Sequence, residues 1–383
     1  MRSVMIFALV AILATPSLHA QAGVEYAVAR SDMKYAEVIE MARDRFDSVM
    51  AANNIPGLSV AVSIDGQVVW SEGFGYANIE TGTPVTARTK FRIGSVSKPL
   101  TAVAVGTLID DGKLDLDAPV QQYVPAFPEK AKGTVTSRSV GGHLSGIRHY
   151  QGTENLSSRK YQTVTQSLEI FKDDTLQTPP GEAYSYSSYG WNLLSAVVEG
   201  ASGEEFLPFM YENVFGPLDM RNTVAEHMDS IIVGRSGYYW RSGRGMDAPI
   251  INAPYVDNSY KWAGGGFVST PEDLLKFAHG LMYGDILSEE TRNMLWATQH
   301  TSDGEATGYG IGFSDGKAMM HRRVGHGGGS VGGNAWFNMF VDDGVAMAVL
   351  TNITNGGYGS VAADIMMAFM RVKMHGSMEE MEH

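Results

Sequence analysis

The chain has 383 residues, 44% hydrophobic and 19% charged, with a formal net charge of −13 and no cysteine. Phosphate binding needs a basic face, so this acidic balance excludes nucleic acid as the expected partner, and the charge serves solubility instead. Without disulfides a large apolar core must hold the fold, and a chain of about 360 residues can bury roughly three quarters of its unfolded surface.

The N-terminus reads MRSVMIFALVAILATPSLHAQAG. Arg2 supplies a positive start, Val4 to Ala14 an apolar stretch, and Pro16 with small residues a break. That pattern predicts a secretory signal peptide over residues 1–22, cleaved after Ala20 or, by the small-x-small pattern Ala20-Gln21-Ala22, after Ala22. Eleven apolar residues are too few to span a bilayer. No cysteine follows for lipid attachment, and no later segment reads as transmembrane. The expectation is export, to the periplasm or beyond, with a mature chain of charge −14 once Arg2 is removed.

Residues 32–53 place Tyr35, Val38, Ile39, Ala42, Phe46 and Met50 at helical spacing and predict a helix. GLSVAVSIDGQVVWSEGFGYAN predicts a hairpin, two β-rich runs around the turn signal Asp65-Gly66. FRIGSVSKPL leads into an apolar helix beginning near Ser95. From about Lys113 to Asn258 Pro, Gly, Ser and Tyr become frequent and helical stretches shorten, which predicts an inserted, mostly helical region. STPEDLLKFAHGLMY predicts a well-signalled helix: Thr270 caps it, Pro271 takes the first position and acids fill the first turn. Four strand-like runs follow, GYGIGFSD, KAMMHRRVGH, NAWFNMFVD and GVAMAVLTN, the last two joined through Asp343-Gly344. A final helix covers about Val361–Met374, and residues 376–383 read as a disordered tail. Strands at both ends with helices between them predict an α+β fold: one domain over 23–375, an antiparallel sheet built from both termini and flanked by helices, with the helical insert at about 113–258.

Ser-x-x-Lys occurs four times: Ser31–Lys34, Ser95–Lys98, Ser157–Lys160 and Ser314–Lys317. Three residues are nearly one helical turn, so both side chains share a face and the amine can reach the hydroxyl. Only Ser95 stands at a loop-to-helix junction, with Gly94 before it and an apolar helix after it. There its own N–H and the helix N-terminus can stabilise developing negative charge. Lys98, half buried by such a helix, is expected to have a depressed pKa.

A rival nucleophile is Ser330 in Gly-Gly-Ser-Val-Gly, which fits the Gly-x-Ser-x-Gly elbow. That elbow needs a strand before the serine and a helix after it, whereas VGGNAWFNMFVDDG reads as loop then strand. His143, His149, His321 and His326 lack zinc-ligand spacing and read mainly as structural or surface residues, so no metal and no cofactor is expected.

In several motifs, in order, the sequence resembles the serine β-lactamases of class C type and their relatives. These include penicillin-binding carboxypeptidases, D-aminopeptidases, β-lactamase-fold esterases and the animal mitochondrial β-lactamase-like peptidase. Ser95-Val96-Ser97-Lys98 resembles the family's nucleophile motif, and GGHLSGI its His-Thr-Ser-Gly loop. PGEAYSYSSYGWNLLSAVVEGASG is similar to its tyrosine segment, and AGGGFVSTPEDLLKFAHGL to its Gly-Gly…Ser-Thr…Asp-Leu helix. GHGGGSVGG stands where its Lys-Thr-Gly strand belongs, and the likeness runs from about residue 35 to 355.

The resemblance implies that Ser95 is acylated, that Lys98 is its proton partner, and that Tyr186 acts as a general base through its phenolate. It also implies an oxyanion hole made by the backbone N–H groups of Ser95 and Gly329. Tyr184 and Tyr189 read as packing residues. Two departures stand out. The family's Tyr-x-Asn is Tyr186-Ser187-Ser188, and its Lys-Thr-Gly is His326-Gly327-Gly328. Ser188, His326, Gly327 and Gly328 are therefore the expected substrate-binding positions. The family lysine is a permanent cation for a substrate carboxylate, whereas histidine is mostly neutral at neutral pH. A histidine there predicts poor β-lactam turnover that improves below about pH 6.5. The expected enzyme is an exported serine hydrolase acting on a small ester, amide, peptide or β-lactam, with esterase or peptidase activity ahead of β-lactamase or DD-carboxypeptidase. A catalytically weak penicillin-recognising or cell-wall-binding protein is the alternative outside the enzyme class. No oligomeric state is implied.

Overall fold

A computed structural model describes residues 27–376. The signal-peptide reading over 1–22 and the tail beyond Gly376 lie outside the described residues. The chain enters as β1 (Ala27–Ser31), then forms α1 (Ala36–Ala52), β2 (Gly57–Ile64) and β3 (Gln67–Asn78). Near the other end come β4 (Ser314–Ala318), β5 (His321–Ser330), β6 (Gly333–Phe340) and β7 (Val345–Thr351). These strands make one antiparallel sheet in the order β1-β3-β2-β7-β6-β5-β4. Its centre is the pairing of β2 with β7, which joins the two ends of the chain. This is the sheet expected from the sequence.

The β2–β3 turn is Asp65-Gly66 with both φ positive, +49° and +77°, as a two-residue hairpin matching the strand twist requires. Every residue of β2 is buried, because both faces of the sheet are covered. On one face Phe46 of α1 and Phe369 of the last helix pack on Trp70, with ring centroids 6.1 and 5.8 Å away. On the other, α2 (Ser97–Asp110) and the helix Pro271–Tyr283 cover the sheet, and Phe277 meets Phe337 at 5.9 Å. Thr270 caps Pro271–Tyr283 as expected, accepting from the Asp273 N–H at 3.3 Å. Eleven residues of α2 are buried, so it is apolar nearly all round and lies inside the protein.

Two predicted strands do not form as read: KAMMHRRVGH is split by a turn at Met319-Met320 into the end of β4 and the start of β5. GYGIGFSD is extended only from Ser314 onward, because Gly308 and Gly312 take φ of +68° and +81° and turn the chain. Between α2 and Pro271–Tyr283 the chain runs through short helical turns, loops, small strand pairings and one long helix, α3 (Ser188–Ser202). That helix packs against α2. Together with β5, the two helices enclose the site. β4 pairs β5 only over His321–Gly325. Residues 326–330 pair only with β6 and leave one strand edge toward the start of α2.

Candidate active site

Ser95 lies in a single 3₁₀ turn, Gly94–Val96, directly ahead of α2. Gly94 has φ of +50°, and a Cβ there would come within 2.5 Å of the Gly329 carbonyl oxygen. Only glycine lets β5 approach the nucleophile turn so closely. The contact recurs one residue along, where a Cβ on Gly328 would lie 1.9 Å from the Ile93 carbonyl oxygen. Two glycines thus set the backbone of residue 329 beside that of residue 95. At Gly327 and Gly329 a Cβ would meet only open space, so these two line a cleft.

Lys98 Nζ lies 3.0 Å from Ser95 Oγ, and the Tyr186 hydroxyl donates to the same oxygen at 2.8 Å. Lys98 Nζ also donates to the Gly264 carbonyl at 2.7 Å and reaches Ser188 Oγ at 3.2 Å. The lysine is buried completely rather than by half, and no carboxylate pairs with it among the described residues. Burial, helped by the charge of Lys261, holds its pKa well below 10.5. Tyr186 sits just ahead of α3, whose N-cap is Ser187. Burial pushes its phenol pKa up, and its hydrogen bond to Ser95 opposes this only in part. Burial thus favours the protonated phenol at Tyr186 and works toward the neutral amine at Lys98. The resemblance implied a phenolate acting as general base, and burial works against that form at rest.

His326 is buried beside Tyr186, with ring centroids 6.2 Å apart, and both its nitrogens are engaged. Its Nδ1 faces its neighbour's carbonyl, Gly327 O, and its Nε2 lies 2.8 Å from the Tyr309 hydroxyl. Burial, then the nearby Lys98, lowers its pKa from 6.5 to about 3. Burial and then the nearby amine work against the acid-gained charge expected at this position, where both nitrogens are already engaged. Ser188, the first residue of α3, faces Lys98.

Ser330 ends β5 and passes by a hairpin into β6, and its buried hydroxyl has no partner among the described residues. It lacks the strand-to-helix elbow. Tyr189 donates to Glu154 at 2.9 Å and stacks on Phe171 at 4.9 Å, a packing role, while Tyr184 is 40% exposed. Tyr309 and the Gly264 carbonyl were not singled out from the sequence. A main-chain oxygen carries no sequence signal of its own, and a tyrosine among 17 gives none either. A cavity of about 570 Å³ between the β2–β3 hairpin and Pro271–Tyr283 touches none of the site residues.

A profile of the beta-lactamase family matches residues 42–368. The chain belongs to the beta-lactamase family. Its relatives include the human serine beta-lactamase-like protein LACTB, mitochondrial, 32% identical over 88% of this chain and 80% of that protein. Penicillin-binding protein 4* of Bacillus subtilis is 25% identical over 77% of this chain and 67% of that one. Among solved structures, a penicillin-binding protein homologue from Pyrococcus abyssi superposes with TM-score 0.73 at 25% identity, covering 88% of this chain and 77% of the other. The fold is also that of D-amino acid amidase from Ochrobactrum anthropi, with TM-score 0.76 at 22% identity, covering 88% of this chain and 99% of that one. The α+β fold with an antiparallel sheet expected from the sequence is the fold of these neighbours. Serine hydrolysis is the family's chemistry. No helix among the described residues is long and apolar enough to cross a membrane.

Proposed function

We propose that this member of the beta-lactamase family hydrolyses esters, amides or D-aminoacyl peptides through an acyl-enzyme on Ser95. The observation that carries the reading is Ser95 Oγ held between a neutral-prone amine at 3.0 Å and a phenol at 2.8 Å. Lys98, neutral in its buried site, takes the Ser95 proton on its lone pair as Oγ attacks the substrate carbonyl carbon. The N–H groups of Ser95 and Gly329 receive the oxyanion. When the bond to the leaving group breaks, the Tyr186 phenol gives that group its proton and Lys98 returns one through Ser188, whose hydroxyl bears on both side chains. Water then attacks the ester and the same groups move its protons in the same order.

Substrate choice follows from His326. A buried, neutral imidazole offers no cation to a substrate carboxylate, which supports neutral acyl donors. The Ser95–Lys98–Tyr186 geometry favours a second reading, β-lactamase or DD-carboxypeptidase, since it suits any strained or activated acyl group. Mass spectrometry separates the readings. A fluorophosphonate should add to Ser95, and an aryl ester should turn over. A label on Ser330 would sink the assignment, and penicillin turnover exceeding that of esters would favour the second reading. Export remains proposed from residues 1–22, and fractionation of expressing cells tests it.

A further inference from the structure

Two histidines of the 141–150 loop take no part in that proton path, yet both meet the segment that carries Tyr186. The Ser187 N–H donates to His143 Nδ1 at 3.1 Å, and the Ser188 N–H donates to His149 Nδ1 at 3.1 Å. These are the N-cap and first amides of α3, donors that a helix leaves without internal acceptors. The same loop holds the segment from both sides. Ser187 Oγ donates to the Arg148 carbonyl at 2.7 Å, and the Ser185 N–H to the His143 carbonyl at 2.8 Å. Both rings also touch Tyr186 itself, His143 with centroids 4.2 Å apart and His149 edge-on at 5.6 Å. His143 adopts φ of +60°, a conformation disfavoured for a residue with a Cβ. The surrounding structure must hold it there.

We propose that His143 and His149 are positioning residues whose Nδ1 lone pairs clamp the Ser187 and Ser188 amides and so fix the Tyr186 phenol on Ser95 Oγ. The proposal rests on the Ser95–Lys98–Tyr186 reading above. It requires both rings to be neutral with the proton on Nε2, because a protonated Nδ1 would present a second donor to an N–H. On His143 that proton sits on a buried Nε2 with no partner among the described residues, a cost the clamp must outweigh. His149 meets Lys98, Lys261, Tyr150 and Tyr186, and His143 meets Lys98, His326, His149, Tyr184, Tyr186 and Tyr309. No carboxylate is among these neighbours. Burial above all pushes His149 down to about 4 and His143 well below 6.5.

His149 is the less buried of the pair, so its replacement is the safer test. Asparagine puts Oδ1 where Nδ1 stands and cannot titrate, whereas leucine fills similar space with no acceptor. On a p-nitroanilide, whose leaving group needs the Tyr186 proton, His149→Leu should lower kcat roughly 5- to 100-fold by leaving a buried amide unpaired. KM should change less than about threefold, since positioning of a proton donor is read in the chemical step. His149→Asn should recover most of the lost kcat. A wild-type kcat for His149→Leu, or an Asn variant as slow as the Leu variant, overturns the clamp. Nitrogen-15 spectra of the wild-type imidazoles give a readout independent of turnover. Two rings should remain neutral with Nε2–H at about pH 5, where solvated histidines are protonated. Full protonation of all rings there overturns the proposal too, whereas failure of Ser95 to label would strike the functional reading and leave this readout intact.

Discussion

The Tyr309 hydroxyl lies 2.8 Å from Nε2 of His326 and occupies that nitrogen. Burial keeps Tyr309 protonated, so its hydroxyl donates, and His326 Nδ1–H is left to donate to the Gly327 carbonyl. The ring is thus neutral in a fixed tautomer. A cation at this position would add a charge-assisted hydrogen bond to a substrate carboxylate, worth about 1.5–3 kcal/mol, or roughly 10- to 150-fold.

The first prediction is that kcat/KM for p-nitrophenyl butyrate exceeds that for nitrocefin by roughly tenfold or more, by that missing bond. His326 has its pKa pushed down to about 3, so it gains no charge between pH 7.5 and about 5.5. Nitrocefin turnover should therefore fail to rise on acidification, contrary to what a solvated histidine predicts. Rate–pH profiles for both substrates check this, and an acid-side rise for nitrocefin alone would refute it.

Lys98 gives a prediction in which activity and stability move in opposite directions. In the fold its pKa lies well below 10.5, its ordinary value. Below about pH 10.5 the unfolded chain therefore binds a proton that the fold does not, and stability is lost as pH falls toward the folded pKa. Lys98→Met keeps the length and removes this penalty. Its kcat should fall by about two to four orders of magnitude. Its melting temperature at neutral pH should rise above that of the wild type, and the gain should shrink at alkaline pH. Melting curves at the two pH values decide it: a lower melting temperature for the variant at neutral pH would count against a neutral lysine.

If Tyr186 serves chiefly as the acid for the leaving group, its loss should depend on that group. Tyr186→Phe should cost about two to four orders of magnitude in kcat on an anilide or amide. On a p-nitrophenyl ester, whose leaving group departs as a stable anion, the loss should be clearly smaller. Equal losses on both would return Tyr186 to the role of base. Circular dichroism should show the fold unchanged, since the phenol packs in a loop ahead of α3.

Neighbouring glycines of β5 should answer oppositely to alanine. Gly328→Ala places a methyl 1.9 Å from the Ile93 carbonyl oxygen. It should lower stability by about 1–3 kcal/mol and impair acylation by pushing β5 off the nucleophile turn. Gly327→Ala meets open space and should leave the melting temperature within about 1–2 °C of wild type, as a surface change does. Paired melts and fluorophosphonate labelling rates distinguish the two positions. A harmless Gly328→Ala would mean that the close approach is not needed.

The sequence by itself determined the frame and singled out Ser95 as the candidate nucleophile. Alternation around Asp65-Gly66 and around Asp343-Gly344 specifies hairpins locally. The capped run after Thr270 specifies a helix, and Ser95 one turn from Lys98 is legible because both lie on one short stretch. Spacing within a segment carries this information, since periods of 2 and 3.6 residues are properties of the local backbone. The tertiary structure decided everything set by groups far apart in the chain. Lys98 is neutral-prone because residues 188, 261 and 264 surround it. His326 is engaged because Tyr309 faces it, and the Ser187 and Ser188 amides find their acceptors on residues 143 and 149. Protonation states depend on burial and on neighbouring charge, and these exist only once the sheet from both termini has closed over α2.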